Sequence, residues 1–220
     1  MHSFSTPRPS TSSGLVARRE RRYDAAMTPG KLVLLIGPSG VGKSVILKEL
    51  RSRHPEWRFP RSATTRRRRA GEGDDLYRFV DEAAFDQLIQ DDALLEWAVV
   101  HGGARYGTLI EEIIPFIKEG SLVMREVDVQ GFDSIRTHQL FRGSDAPYTL
   151  ESVFILPESR EQLISHITKR APMAEEELHR RIASMDRELT YASLCDHTVV
   201  NTEGKLEETL AAVERAVPGT

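Results

Sequence analysis

A chain of 220 residues, 40% of them hydrophobic and 29% charged, is long enough to bury the core of one compact domain. Its formal net charge of −3 gives no global pull toward nucleic acid or an acidic membrane, and its single cysteine, Cys195, excludes an internal disulfide and a multi-cysteine metal site. No apolar run approaches the roughly 18 residues that span a bilayer, so the expectation is a cytoplasmic protein with neither a membrane nor a nucleic-acid partner.

Residues 1–28 open on MHSFSTPRPSTSSG, which has almost nothing apolar to bury, and run on through Arg18, Arg19, Glu20, Arg21 and Arg22. Such a segment cannot offset its ordering entropy by burial and is expected to be a disordered tail. The lack of acid before Glu20 is also a trait of organelle transit peptides, a secretory-type apolar core is absent, and Met27 is an alternative start. The folded unit is expected over residues 29–220.

From Lys31 onward, apolar runs alternate with segments of helical period, the pattern of a parallel sheet covered by helices. Leu32 to Ile36 reads as a buried strand that ends in glycine, and SVILKELRS after it reads as a helix. Between them stands GPSGVGKS: Gly37, Pro38, Ser39, Gly40, Val41, Gly42, Lys43 and Ser44. It fits G-x-x-x-x-G-K-[ST] in the strand–helix context the motif requires. Glycines let backbone N–H groups turn inward around phosphate oxygens, and the helix that follows points its positive end at them. In that arrangement Lys43 reaches the β- and γ-phosphates of a nucleoside triphosphate and the Ser44 hydroxyl holds Mg²⁺.

Arg61 to Phe79 shows little core-forming periodicity and reads as a loop holding Ser62, Thr64, Thr65, the run Arg66 to Arg69, Glu72 and Tyr77. An arginine run by itself is equally a solvated face or a nucleic-acid patch. Hydroxyls, guanidiniums and a tyrosine gathered in one loop are also the donors that a phosphate monoester accepts from. Asp81 is a plausible N-cap for a helix with Phe85, Leu88 and Ile89 on one face. Leu109 to Lys118 reads as a helix interrupted by Pro115 and stopped at Gly120. Ser121 to Asp128 and Glu151 to Leu156 read as strands. Two helices then meet at Ala171-Pro172, the second with Leu178, Ile182, Met185 and Leu189 as one apolar stripe. His197 to Val200 is a last short strand, and Leu206, Leu210, Val213 and Val217 mark a closing helix. His101, His138 and His179 form no metal-ligand spacing, and Cys195 reads as a buried structural thiol.

The chain resembles guanylate kinases through four blocks in that family's order, from about Lys31 to Val217. The family pattern S-x-x-T-T-R-x-x-R-x-G-E followed by Tyr is matched by Thr64, Thr65, Arg66, Arg69, Gly71 and Glu72, with Ser62 one residue nearer the threonines than the pattern has it and the link to Tyr77 one residue short. The resemblance implies that Ser62, Arg66, Arg69 and Tyr77 hold the 5′-phosphate of an acceptor nucleotide, with Glu72 in the same set and Arg67 and Arg68 exposed. LLEWAVVHGGARYGT (Leu94 to Thr108) is similar to the segment that supplies Glu96 and Thr108 as guanine readers and Tyr106 as a second phosphate donor. LVMREVDVQG (Leu122 to Gly131) is similar to the strand that ends in Asp128 as a third base contact. Guanine offers N1–H and an amine as donors and O6 as acceptor, which two carboxylates and one hydroxyl complement. Adenine reverses those groups and leaves the carboxylates unpaired, a mismatch worth about 10⁴ in discrimination. In the family, arginines of the helix pair close over ATP, and Arg170 and Arg181 match by position. Asn201 follows the last strand where the family places an adenine-side Asn, although a polar residue there is equally an ordinary turn.

Four departures stand out. His166 replaces an arginine of the pattern R-L-x-x-R-G-T-E, and the acid after the break is missing in Ala171-Pro172-Met173. Glu126 stands where Asp is expected, a longer carboxylate that can still serve Mg²⁺ through a water, and Arg125 sits in an otherwise apolar strand. Pairing with a neighbouring acid is the least demanding account of it.

The fold implied is a P-loop α/β domain of three layers around a parallel sheet, with a nucleoside-monophosphate lobe near residues 60–108 and a helical lid near 158–192. The implied reaction is ATP + GMP giving ADP + GDP, with dGMP as a second acceptor, Mg²⁺ as cofactor, Lys43, Arg66, Arg69, Arg170 and Arg181 as charge-offsetting groups, and no specific protein partner. Two competitors stay open. One is another small-molecule kinase, such as one acting on a sugar phosphate, whose acceptor has no guanine edge for Glu96, Thr108 and Asp128. The other is a phosphopeptide-binding module that has lost catalysis, for which a damaged phosphate loop is expected.

Overall fold

The computed structural model describes residues 30–99, 103–170 and 174–218, with Arg170 described by its backbone alone. The expected tail over residues 1–28, His101 and the break at residues 171–173 lie outside these.

The core is a four-stranded, all-parallel sheet in the order β6 (Leu122–Glu126), β1 (Lys31–Ile36), β7 (Thr149–Pro157), β8 (His197–Asn201). All six residues of β1 are buried, as a central parallel strand requires. Because strand side chains alternate, Val33 and Leu35 face one layer and Leu32, Leu34 and Ile36 the other. The first layer holds α1 (Lys43–Arg53) through Ile46 and Leu50, α5 (Arg160–Arg170) through Leu163 and Ile167, α6 (Glu175–Leu189) through Met185, and α7 (Leu206–Ala216) through Leu210 and Val213. The second holds α3 (Ile114–Lys118) through Ile114 and Ile117, and α4 (Val129–Thr137) through Phe132 and Ile135. Each large apolar side chain so buried is worth about 1.5–3 kcal/mol.

A second sheet has the order β3 (Tyr77–Phe79), β2 (Ser62–Thr64), β5 (Arg105–Leu109), β4 (Leu94–Val99). One face packs Ala63 and Leu109 on Phe85, Leu88 and Ile89 of α2 (Glu82–Gln90), whose N-cap Asp81 accepts a hydrogen bond from the Ala84 amide. The helical stripe of α6 also forms as read, with Leu178, Ile182 and Leu189 against the core around Met185.

Two readings need correction. The stretch from Arg61 to Phe79 is not loop throughout, because its ends pair as β2 and β3, each three residues long. Leu109 to Lys118 is not one interrupted helix: Leu109 completes β5, residues Ile110–Glu112 make a 3₁₀ turn, and α3 starts only at Ile114. Pro115 therefore lies in the first turn of α3, where its missing N–H removes no helical bond. Gly120, at φ 86°, ends that helix as expected.

Candidate active site

The phosphate loop follows β1 and turns through Gly37, Gly40 and Gly42 at φ 150°, 88° and 99°, angles of the left-handed region that L side chains rarely adopt. Gly42 caps α1 without a side-chain hydrogen bond, and the first turn of α1 holds no acid. The positive end of the helix is thus not neutralised by its own sequence. Lys43 is buried, and its Nζ donates to the carbonyl oxygens of Gly37 at 2.6 Å and Pro38 at 3.2 Å. The loop is braced from behind. Asn201, at the end of β8, donates from Nδ2 to the Val41 carbonyl at 2.8 Å and accepts from the Thr209 hydroxyl of α7 at 3.0 Å. A Cβ added at Gly42 would meet Asn201 Nδ2 at 2.7 Å and displace that brace, while the φ of 99° already favours glycine.

Glu126, at the end of β6, reaches the same loop. Ser44 Oγ donates to Glu126 Oε2 at 2.9 Å, and Lys43 Nζ lies 3.9 Å from Oε1. A hydroxyl and a carboxylate side by side are hard oxygen donors, the set a Mg²⁺ ion takes when phosphates and waters supply its remaining ligands. Glu126 and Ser44 therefore fit that ion. Among the described residues no cluster of three or more His, Cys, Asp or Glu could hold a metal.

The second sheet presents a polar row fixed by strand register. Tyr77 pairs with Ser62, Ser62 with Thr108, and Thr108 with Glu96, so the four share one face across β3, β2, β5 and β4. The next row on that face carries Phe79, Thr64, Tyr106 and Ala98. Thr108, fully buried, donates its hydroxyl to Glu96 Oε1. Asp128 caps α4, its Oδ1 accepting from the Gly131 amide at 2.7 Å. A Cβ on Gly131 would stand 3.4 Å from Asp128 Oδ1 and 3.7 Å from Glu96 Cδ. The two carboxylates thus converge on the bare Cα of one glycine.

Arg66 stands at the open end of the row. It donates from Nε to Tyr106 Oη at 3.0 Å and grips Glu72 through Nη1 at 3.0 Å and Nη2 at 2.6 Å, while its guanidinium lies 5.1 Å from the Tyr77 ring centre. The paired Glu72 pushes the Arg66 pKa up, and Arg66 in turn holds the Glu72 carboxyl down at about 2, with the Arg69 amide assisting. Burial raises the Tyr77 phenol above its ordinary value. Because arginine only donates, the Tyr106 hydroxyl keeps its own proton for another acceptor. Arg68 pairs with Asp74, and the side chains of Arg67 and Arg69 are exposed.

Over the phosphate loop, α5 and α6 form the opposite wall. An open cleft of about 580 Å³ is lined by Ser39 and by Arg180, Arg181, Arg187 and Glu188 of α6. The Ser39 amide donates to Glu188 Oε2 at 3.1 Å, so a carboxylate already occupies an amide that a phosphate oxygen can use. His166 Nδ1 lies 3.3 Å from the Gly40 carbonyl, and Arg181 is held by Glu177 at 2.8 Å.

A guanylate kinase family model matches residues 29–219. The chain belongs to that family. It is 41% identical over 175 residues to a guanylate kinase of Thermobifida fusca, covering 79% of this chain and 85% of the relative. It is 40% identical over 199 residues to one of Gloeobacter violaceus, covering 90% of this chain and 92% of the relative. A crystal structure of guanylate kinase from Anaplasma phagocytophilum superposes with a TM-score of 0.60 at 24% identity, covering 85% of this chain and 84% of the other, and so shares the fold.

The guanylate kinase residues anticipated from sequence fall into three groups in space. Lys43, Ser44 and Glu126 meet at the phosphate loop, while Ser62, Arg66, Glu72, Tyr77, Glu96, Tyr106, Thr108 and Asp128 gather along the second sheet and the start of α4. Arg181 lines the α6 wall, and the Arg170 side chain lies outside the described residues. Asn201 is engaged with the loop backbone and α7. Two residues were given no role in advance. Glu188 had no motif to mark it. Arg125 was marked by its apolar strand, and it does pair with an acid: its Nη2 lies 3.6 Å from Glu96 Oε1 and donates to Ser62 Oγ at 3.1 Å. Burial pulls its pKa below the ordinary arginine value, and Glu96 opposes that shift.

Proposed function

We propose that the chain transfers the γ-phosphoryl group of ATP to GMP, giving ADP and GDP, and that dGMP serves as a second acceptor. The observation that carries this reading is the convergence of Glu96, Thr108 and Asp128 beside a phosphate-binding array, within a chain that keeps an intact phosphate loop. The same convergence disfavours a sugar-phosphate acceptor, which has no guanine edge to set against Glu96, Thr108 and Asp128.

In this reading residues 60–108 form the acceptor lobe and residues 158–192 the lid. ATP lies with its phosphates in the loop from Gly37 to Ser44, Lys43 turning from the Gly37 and Pro38 carbonyls toward the β- and γ-oxygens. Asn201 serves the ATP side by holding the loop in position. GMP lies along the second sheet. Its 5′-phosphate takes donors from Ser62, Arg66, Arg69, Tyr77 and Tyr106, and Glu72 keeps Arg66 aimed. Guanine N1–H and its amine meet Glu96 and Asp128, and the Thr108 hydroxyl turns from Glu96 to O6. When bound at Ser44 and Glu126, Mg²⁺ supplies charge neutralisation between the phosphates. A GMP phosphate oxygen attacks the γ-phosphorus in line, so no protein nucleophile is needed. Lys43, Arg66, Arg69, Arg170 and Arg181 offset the charge that develops on the transferring oxygens. Closure of the lid excludes water and suppresses hydrolysis.

The variant Lys43→Ala tests the assignment of the transfer step. It is expected to fold and to bind GMP as the parent does, with GDP formation reduced at least about a thousandfold. Near-parental GDP formation by Lys43→Ala overturns the role given to the loop.

A further inference from the structure

Arg125 is a charged side chain, 8% exposed, on a strand whose preceding residues Leu122, Val123 and Met124 are buried hydrocarbon. Its Nε is buried and has no hydrogen-bond partner among the described residues, so the fold alone does not use this cation well. Its other end is placed otherwise. Nη2 reaches out of the parallel sheet to the polar row of the second sheet, touching Ser62 Oγ at 3.1 Å and approaching Glu96 Oε1 at 3.6 Å. Ser62 and Glu96 flank Thr108 in that row, so one guanidinium spans the ends of a three-residue set.

We propose that Arg125 is a positioning residue for the acceptor nucleotide, presetting Ser62 as a phosphate donor and holding Glu96 for guanine; this rests on the GMP reading of the site. Arginine can only donate, so Ser62 Oγ accepts and its proton is directed to another oxygen, the polarity a phosphate needs. At Glu96, Thr108 and Arg125 share Oε1, and no hydrogen bond among the described residues uses Oε2. When the Thr108 hydroxyl turns to guanine O6, Arg125 is the cation that remains beside Oε1, 3.6 Å away. The carboxylate then keeps its orientation at the moment it is used. A cation with this placement serves the acceptor side and leaves the ATP side alone.

The test compares wild type, Arg125→Met and Arg125→Lys in the full chain, measuring thermal midpoint, KM for GMP, KM for Mg·ATP and use of IMP, which lacks the 2-amino group. Arg125→Met removes one partner of a buried pair and is expected to fold with a lowered midpoint, with KM for GMP raised about 10–100-fold, KM for Mg·ATP changed less than about twofold, and the preference for GMP over IMP narrowed. Arg125→Lys keeps charge without the fork and is expected to recover part of the GMP loss. Combining Arg125→Met with Ser62→Ala is expected to cost less than the product of the single effects. An unchanged KM for GMP in Arg125→Met overturns the inference. So does a lowered midpoint with both KM values raised alike, the mark of a merely structural role. A wild-type protein that makes no GDP overturns the functional reading, and this inference with it; wild-type GDP formation matched by Arg125→Met overturns this inference alone.

Discussion

At the scale of single residues, the acceptor site is an exercise in who may donate. Glu96 and Asp128 carry acceptors only, and each already spends one oxygen on the protein, Oε1 on Thr108 and Oδ1 on the Gly131 amide. What each has left suits a ligand edge rich in N–H groups. Removing Glu96 takes away a charge-assisted hydrogen bond to the base, worth about 1.5–3 kcal/mol. Glu96→Ala is therefore expected to raise KM for GMP by roughly 10–150-fold while KM for Mg·ATP stays within about twofold. Steady-state kinetics with each substrate varied in turn check this, and parental GMP kinetics would sink the account of base recognition. That Ser62, Glu96, Thr108 and Asp128 lie together was legible in the sequence, because they stand in segments that resemble the guanylate kinase pattern in its order. Arg125 was legible only as an anomaly. The contact that explains it joins β6 to β2, residues 63 positions apart, and no local pattern encodes such a meeting.

At the scale of elements, the phosphate loop owes its position to its neighbours as well as to its glycines. Asn201 ties the loop to β8 and α7 through two hydrogen bonds of 2.8 and 3.0 Å. Asn201→Ala leaves the Val41 carbonyl and the Thr209 hydroxyl without these partners. It is expected to cost about 1–3 kcal/mol of stability and to raise KM for Mg·ATP more than KM for GMP. Thermal unfolding and the ratio of the two KM values report the two halves of that expectation. A second inter-element tie depends on pH. His54, just past α1, stacks on Trp57 at 3.9 Å and bonds Glu56 at 2.9 Å and Glu214 of α7 at 3.0 Å. Burial lowers its pKa, but the hydrogen bonds to Glu214 and Glu56 outweigh this and leave it raised. A raised folded-state pKa stabilises fully below the unfolded value of about 6.5, and the contribution is lost as pH rises through the folded value. Wild type is thus expected to lose thermal stability across that window relative to His54→Gln, and parallel melting curves of the two would contradict it. The long, strongly patterned elements were readable in advance. The short ones were not, since β2 and β3 are three residues each, too brief for alternation to show, and α3 begins one residue before the proline that suggested a break.

At the scale of the molecule, two four-stranded sheets stand side by side. The parallel sheet carries the phosphate loop and Glu126 at the ends of its strands, and the second sheet carries the acceptor row. The α5–α6 pair walls the cleft, where Glu188 of α6 reaches the Ser39 amide. This division was visible in the sequence as motif order, with the loop first, then the arginine segment, the Y-G-T segment and the strand that ends at Asp128. The meeting of Arg125 with Ser62 and Glu96 across the boundary of the two sheets was not visible, because those residues lie far apart in the chain. Cys195, read as a buried structural thiol, is only half-buried, and that burial pushes the thiol up to about 11, well away from a reactive value. The central claim is that this assembly moves phosphate from ATP to a guanine nucleotide and to no other base. The most direct test is ADP release with Mg·ATP and, in turn, GMP, dGMP, AMP, CMP, UMP or no acceptor. The account predicts ADP with GMP and dGMP, and only background with the others. ADP formed equally with AMP, or with none of the six conditions while ATP still binds, would contradict it.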